Sequence, residues 1–193
     1  MNDIRRLLAA CPKNLLGLRD RALILTGFEG AFRRSELCAM AVSDLSFSDS
    51  GLEINVPRSK ADQEQAGDKV AIPFGEHEET RPIKALREWL AAAKFTSGAV
   101  FRAADRHNKI AADGLHRDSI AEIFKTAAAR AGINATNIAG HSVRAGTATQ
   151  AALNGSSERA IAKTTRHRSR RVLRRYIRPG ELFRENASAS LGL

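Results

Sequence analysis

Apolar residues recur at helical spacing in the first part of the chain and then switch to strict alternation. In the stretch NLLGLRDRALILTGFEGAF, Ala22, Leu25 and Phe28 share one helical stripe, which predicts a long helix. RRSELCAMAV predicts a second, shorter helix. From about residue 44, DLSFSD, GLEINVPRS and DKVAIPF alternate apolar and polar residues, as half-buried strands do. The pattern predicts a small antiparallel sheet inserted after the first helices.

Helical periodicity returns in the second half of the chain. RPIKALREWLAAAKF predicts a helix capped by Thr80, with Pro82 in its first turn. SIAEIFKTAAARAG predicts a helix that begins at a Ser119–Glu122 capping box and ends at Gly132. VRAGTATQAALNG and SERAIAKTTRH predict two more helices around an Asn-Gly turn. The predicted fold class is α+β, mainly α with a small antiparallel β-sheet.

Composition restricts the class of protein. A chain of 193 residues, 43 % of them apolar, can bury the core of one good-sized globular domain. No apolar run approaches the roughly 18 residues that span a bilayer, and the start of the chain lacks the apolar core of a signal peptide. Cys11 and Cys38 form no CxxC pair, so the sequence indicates neither a disulfide framework nor a zinc site. We expect a cytoplasmic protein.

The net charge of +10 narrows the choice of partner. Nine basic residues and no acid lie between Arg159 and Arg178. The planar guanidinium group suits bidentate contact with phosphate, which favours a nucleic-acid backbone. A membrane surface is also compatible with a basic helix, but the aromatic face typical of such helices is missing. With only 5 % aromatic residues, base stacking on a single strand is disfavoured. Double-stranded DNA is the expected partner.

Tyr176 is the only tyrosine in the chain, and it stands among seven arginines in TTRHRSRRVLRRYIRPG. Such a helix is usually a solvated surface or a grip on the DNA backbone, but a tyrosine among arginines also suits a nucleophile that attacks phosphate. Other signals are individually common: Arg33 in GAFRRSEL, Lys60 between two predicted strands, and His141 with Arg144 on one helical face in GHSVRAG.

Taken in chain order, these residues resemble the tyrosine recombinase (phage integrase) family. The resemblance runs from LTGFEGAFRRSELCAM through VPRSKADQEQAGDKVAIP and GHSVRAG to TTRHRSRRVLRRYIR. It implies the DNA breaking-rejoining fold of the family's catalytic domain. It also implies cutting and rejoining of DNA through a 3′-phosphotyrosine, without metal, ATP or another cofactor. Glu36 falls where the family often carries a supporting acid. The implied catalytic residues are Arg33, Lys60, His141, Arg144, His167 and Tyr176.

The chemistry of phosphodiester cleavage agrees with this assignment. Two arginines and a histidine donor would stabilise the negative charge that develops on the non-bridging oxygens. A phenol is a poor nucleophile at neutral pH, but guanidinium groups favour its ionised form and His141 could accept its proton. Lys60 would protonate the departing 5′ oxygen. The arginines expected to contact DNA are Arg34, Arg168, Arg170, Arg171, Arg174, Arg175 and Arg178.

The chain departs from the family pattern at two points. Arg166 stands where the family usually has a glycine before the second histidine, and a turn with positive φ would strain an arginine. We also expect residues 1–180 to form the catalytic domain with the family's N-terminal core-binding domain absent, in either an excised fragment or a naturally short protein. Residues 181–193 are expected to form a tail, anchored by Leu182 and Phe183, that docks on a neighbouring protomer in dimers or tetramers on DNA.

Other functions remain compatible with the sequence. The segment from VRAGTATQ to RRVLRRY also reads as helix, turn and basic helix, which superficially resembles a helix-turn-helix DNA reader with a structural Tyr176. An inactive relative of the recombinases, or a strand-relaxing enzyme of the topoisomerase IB type, is a further alternative. Covalent trapping on DNA separates the enzymes from the reader, and supercoil relaxation separates the two enzymes.

Overall fold

The computed structural model describes residues 2–56, 68–75, 77–105, 107–134, 142–167 and 169–181. Its helices are α1 Asn2–Ala9, α2 Leu15–Glu29, α3 Arg34–Ala39, α4 Pro82–Ala93, α5 Arg117–Arg130, α6 Ser142–Leu153, α7 Glu158–Thr165 and α8 Arg170–Glu181. Its strands are β1 Leu45–Ser48, β2 Gly51–Val56, β3 Asp68–Pro73, β4 Arg102–Ala104 and β5 Ile110–Gly114. Short 3₁₀ turns lie at Val42–Asp44 and Glu78–Thr80.

The predicted antiparallel sheet is confirmed, in the order β1-β2-β3. Leu52 pairs with Ile72 and Ile54 with Val70, and all four side chains are buried on one face. The alternation in GLEINV and DKVAIP reflects this one-sided burial. The small sheet formed by β4 and β5 was not predicted from the sequence. Strands β4 and β5 are short and largely exposed. Their sequences therefore lack the alternation of apolar and polar residues from which a half-buried strand is predicted.

The larger of two apolar clusters surrounds α2, which packs against α4 and α6. Leu23 and Ile24 are fully buried in this cluster. Trp89 is also fully buried, and its indole Nε1 donates a hydrogen bond to the backbone oxygen of Val100 at 2.8 Å. The polar edge of the ring is therefore satisfied inside the core, as a buried indole requires.

A second, smaller cluster lies beneath α6, α7 and α8, built from Ala148, Ala152, Ile161, Leu173 and Ile177. Helix α6 joins it to the rest of the domain. Near its start, α6 packs on the larger cluster, and the Thr147 hydroxyl donates to the backbone oxygen of Phe28 at 2.6 Å. Side chains near the start of α6 therefore lie at the junction between the two clusters.

Two predicted helix starts are wrong. Thr80 lies in a 3₁₀ turn, where its hydroxyl donates to the backbone oxygen of His77, and the N-cap of α4 is Arg81. Since a residue before proline is driven into extended backbone, Pro82 places the cap at Arg81. The predicted capping box at Ser119 is wrong, because Ser119 lies inside α5. The helix begins at Arg117, and its N-cap is His116, whose ring accepts a hydrogen bond from the backbone N–H of Asp118.

The predicted end of α5 at Gly132 is confirmed, with a φ of 64° just beyond the helix. Within the ranges given above, no helix is long and apolar enough to cross a membrane.

Candidate active site

The turn between α2 and α3 presents Arg33 to solvent above a buried carboxylate. Arg33 is the extended N-cap of α3, and its backbone N–H donates to Glu36 Oε2 at 2.9 Å. Its guanidinium pairs with the other oxygen, Glu36 Oε1. The Arg33 side chain is 44 % exposed and that of Glu36 only 10 %. The guanidinium of Arg33 is therefore accessible to a ligand while it pairs with the nearly buried carboxylate of Glu36.

Arg144 extends from the first turns of α6 and is buried. Burial, together with the charges of Arg33 and Arg166, lowers the pKa of Arg144 to about 10, although Glu36 and Asp68 oppose this effect. The guanidinium stays protonated at neutral pH. Its Nε has no hydrogen-bond acceptor among the residues that the structure describes. The guanidinium groups of Arg33 and Arg144, which are close enough to affect one another, form a site suited to an anion.

His167 follows α7 and is held by a hydroxyl group. Its Nδ1 lies 2.7 Å from Thr165 Oγ1, and that hydroxyl is 2.7 Å from the backbone oxygen of Ile161. If the hydroxyl donates its single proton to Ile161, the ring donates its Nδ1–H and Nε2 is left as an acceptor. Burial, followed by the charges of Arg144 and Arg33, lowers the pKa of His167 to about 4. The imidazole is thus neutral at pH 7.

Tyr176 is carried by α8, whose apolar face packs into the smaller cluster. Leu173 and Ile177 are buried there, and Tyr176 is half-buried beside them. The Thr149 hydroxyl on α6 donates to the backbone oxygen of Tyr176 at 2.9 Å. The ring centroid of Tyr176 lies 5.9 Å from that of His167. Helix α6 and the packing of α8 therefore fix the phenol next to the imidazole.

The pKa of Glu36 is lowered overall. Burial alone would raise this pKa, but the charge of Arg166, together with the hydrogen bonds and charge of Arg33, has the larger effect. Glu36 is therefore a carboxylate at neutral pH. Arg166 also adopts the left-handed conformation that sequence reasoning associated with a glycine, with φ 52° and ψ 41°.

Most of the predicted site residues in the described part of the chain come together. Arg33 and Arg144 lie close enough to His167 to lower its pKa, Glu36 pairs with Arg33, and His167 contacts Tyr176. Predicted residues that lie outside the described residues are Lys60, His141, Arg168 and the tail 182–193.

Two side chains at the site were missed by sequence reasoning. Thr165 orients His167, and Asp68 at the start of β3 lies 3.9 Å from the Nε of Arg166. No sequence motif marks either residue. A threonine two residues before a histidine is common, and Asp68 is distant in sequence from Arg166, which it approaches only in the folded protein.

The arginines predicted to bind DNA lie mainly on one helix. Arg34 is half-buried on α3. The exposed arginines of α8 are Arg170, Arg171, Arg174, Arg175 and Arg178. Arg174 also pairs with Glu158 on α7, with 3.0 Å between Nε and Oε2. Across the described ranges, no three histidine, cysteine or acidic side chains cluster as metal ligands.

Comparisons with known proteins agree with this architecture. The family model described as the phage integrase family matches residues 1–181. An "Integrase/recombinase xerD homolog" from Selenomonas ruminantium is 40 % identical over 175 residues, which are 91 % of this chain and 51 % of that protein. The chain thus spans about half the length of this relative.

Solved structures share the fold. The crystal structure of XerA recombinase superposes with a TM-score of 0.70 at 22 % identity, over 98 % of this chain and 59 % of that one. A XerH site-specific recombinase in a post-cleavage complex with palindromic difH substrate gives 0.73 at 16 % identity, over 98 % and 51 % of the two chains. With its fold and its family match over nearly the whole chain, this protein belongs to the phage integrase family of tyrosine recombinases.

Proposed function

We propose that this chain is the catalytic domain of a site-specific DNA recombinase. It would cut and rejoin DNA strands through a 3′-phosphotyrosine intermediate. The observation that carries the proposal is the meeting of Arg33, Arg144 and His167, from three separate elements, beside the only tyrosine of the chain. Membership of the family, and recombinase relatives of the same fold, support it.

In the cleavage step, the phenolic oxygen of Tyr176 attacks a backbone phosphorus. A bond forms between that oxygen and phosphorus while the bond to the 5′ oxygen breaks, which leaves the 3′ phosphate on the protein. The phenol proton passes to an imidazole, for which we propose His141, and Lys60 protonates the departing 5′ oxygen. Rejoining reverses these steps. Because the phosphotyrosine conserves the bond energy, the reaction needs no ATP.

The arginines would supply the main electrostatic stabilisation. Arg33 and Arg144 are held in place before the substrate arrives, Arg33 by Glu36 and Arg144 by burial at the start of α6. Donors fixed in this way stabilise charge on the non-bridging oxygens without reorganisation, and each contributes roughly 10²- to 10³-fold in rate in comparable sites. The buried Nε of Arg144 is one such donor.

His167 would change its protonation state when DNA binds. In the free protein, the two arginines contribute to holding its pKa down. A bound phosphate opposes those charges and therefore favours protonation of Nε2, which can then donate to a phosphate oxygen. This role matches the histidine donor expected from the family resemblance.

DNA contact outside the site is assigned to the exposed arginines of α8. Their guanidinium groups would neutralise phosphates along the duplex, together with Arg34 and Arg168. We further propose that protomers assemble as dimers or tetramers on DNA, with the tail 181–193 contributing to that contact. We also propose that the protein acts in the cytoplasm at the nucleoid, because its proposed substrate is DNA.

Covalent trapping tests the proposed function. In nicked suicide duplexes that carry candidate sites, cleavage frees a short strand that carries the new 5′ hydroxyl. This strand diffuses away and cannot be rejoined, so the covalent adduct accumulates and is visible on a denaturing gel. Tyr176→Phe removes only the hydroxyl and keeps the ring and its packing. DNA binding should therefore persist, while the covalent adduct is lost. An adduct that forms equally well with the Phe variant would contradict the assignment. Relaxation of supercoiled DNA without site-specific joining would favour the topoisomerase-like alternative.

A further inference from the structure

Arg166 lies in a backbone conformation that ordinarily favours glycine. It caps α7 with φ 52° and ψ 41°, directly before His167. A side chain in this left-handed region has an energetic cost. The Arg166 side chain is nevertheless only 9 % exposed and points into the protein. Its contacts must therefore offset both the strain of the backbone and the removal of a charge from water.

The buried guanidinium of Arg166 binds the turn that carries Arg33. Its NH1 donates to the backbone oxygen of Gly30 at 3.0 Å, and its NH2 reaches that of Ala31 at 3.5 Å. The group also lies 5.1 Å from the centre of the Phe32 ring. Ala31 itself has a φ of 47°, so this turn is strained as well. Arg166 thus connects the turn before His167 with the turn before Arg33.

The same guanidinium orients the supporting carboxylate. NH2 of Arg166 lies 2.7 Å from Glu36 Oε2, the oxygen that also accepts the backbone N–H of Arg33. The other oxygen, Oε1, holds the Arg33 guanidinium. Two arginines therefore hold the Glu36 carboxylate: Arg33, at the start of the same helix, and Arg166, in the turn after α7. Without Arg166, rotation of the carboxylate would be restricted by Arg33 alone, the group that it is supposed to hold.

We propose that Arg166 is a positioning residue for DNA cleavage, which through Glu36 and the carbonyls of Gly30 and Ala31 fixes Arg33 relative to His167. This inference rests on the proposed function, since it concerns the same reaction. We assign Arg166 no contact with DNA, because its side chain is only 9 % exposed and its guanidinium lies against Glu36, the two carbonyls and the Phe32 ring. Its buried Nε has no hydrogen-bond acceptor among the described residues and lies 3.9 Å from Asp68 Oδ2.

If Arg166 only fills the turn, glycine at this position should leave the rate of DNA cleavage unchanged, because glycine tolerates the left-handed conformation. Arg166→Gly relieves the left-handed backbone and removes the side-chain contacts, so it separates the two roles. Lys94 provides a matched control, because it is an exposed basic residue that caps α4 in the same conformation, with φ 56°. Lys94→Gly relieves a similar strain away from Glu36. Arg166→Lys keeps a positive charge that can pair with Glu36 but loses the multiple donors of the guanidinium.

The test measures single-turnover adduct formation on the suicide duplex and the Kd for the same DNA. We expect Arg166→Gly to slow adduct formation by about 10-fold or more, with little change in Kd. Arg166→Lys should recover part of the rate, and Lys94→Gly should retain it. If Arg166→Gly cleaves at the unmodified rate, or if lysine gives no recovery over glycine, the positioning role is wrong.

A thermal double-mutant cycle tests the contact without cleavage. Arg166→Gly and Glu36→Gln should change the melting temperature non-additively, because each removes the same ion pair. Additive changes would overturn the link between the two residues. If the unmodified protein forms no adduct with any candidate site, the proposed function fails, and this cycle still decides whether Arg166 holds Glu36.

Discussion

Charge at the candidate site is controlled residue by residue through neighbours that are distant in sequence. Arg33 and Arg144 both lower the pKa of His167, after the larger effect of burial. Arg166 and Arg33 keep Glu36 ionised although burial opposes it. The motif order predicted a common site for Arg33, Arg144, His167 and Tyr176, which lie near one another, whereas Lys60 and His141 lie outside the described residues. It could not predict the ion pair between Arg166 and Glu36 or the hydroxyl that orients His167, because these depend on how α7 packs against the α2–α3 turn.

The lowered pKa of His167 predicts a pH dependence of stability. In the folded protein this pKa is about 4, below the ordinary value of 6.5, so the unfolded chain takes up the proton first as the pH falls. The contribution of His167 to the free energy of unfolding is therefore constant above about pH 6.5 and decreases as the pH falls toward about 4. Urea unfolding should show a smaller loss between about pH 7 and about pH 5 for His167→Gln than for the unmodified protein. Equal losses would contradict the assigned state.

Helix α8 shows what an element contributes to the site. Leu173, Tyr176 and Ile177 lie on one helical face against the smaller cluster, and the arginines occupy the exposed faces. A basic helix at this place could be predicted from the run of arginines, whereas its apolar face became evident only from the packing. The start of α5 could not, since a histidine ring replaces the usual hydroxyl cap. The strands β4 and β5 also escaped prediction, because their pairing is set by the surrounding fold rather than by apolar alternation.

Two neighbouring residues of α8 test this packing. Leu173 is fully buried, whereas Val172 is 40 % exposed. Leu173→Ala should lower the free energy of unfolding by about 2–5 kcal/mol, because it leaves a cavity beneath Tyr176. Val172→Ala should change the free energy by no more than about 0.5 kcal/mol. Urea denaturation followed by circular dichroism measures both. Similar small effects would show that α8 does not depend on the smaller cluster for its position.

The candidate site lies where the two apolar clusters of the protein meet. The larger cluster supports the turn with Arg33, the smaller supports Tyr176, and α6 connects them. The fold class could be predicted from periodicity and the family resemblance. The division of the core into two clusters could not, because it depends on which buried faces contact each other. The net charge of +10 and the exposed arginines of α8 would favour the binding of a polyanion such as the proposed DNA substrate.

Salt dependence of DNA binding tests the proposed backbone contacts. If Arg171 and Arg175 each neutralise one phosphate, alanine at either position should reduce the slope of log Kd against log salt by about 1. Arg130, exposed near the end of α5, lies outside the proposed DNA-binding set and serves as the control. Fluorescence anisotropy over a range of salt concentrations gives the slopes. Unchanged slopes for the α8 variants would place the DNA elsewhere.

Tyr176 is the residue proposed to form the covalent bond with DNA. Because the chain has a single tyrosine, any phosphotyrosine in the adduct identifies that residue directly. The most direct measurement is mass spectrometry of the trapped adduct after nuclease digestion and cleavage at glutamate. We predict a nucleotide joined through its 3′ phosphate to the peptide that contains Tyr176. A 5′ linkage, or a DNA remnant on any other residue, would show that Tyr176 is not the nucleophile in a 3′-phosphotyrosine mechanism.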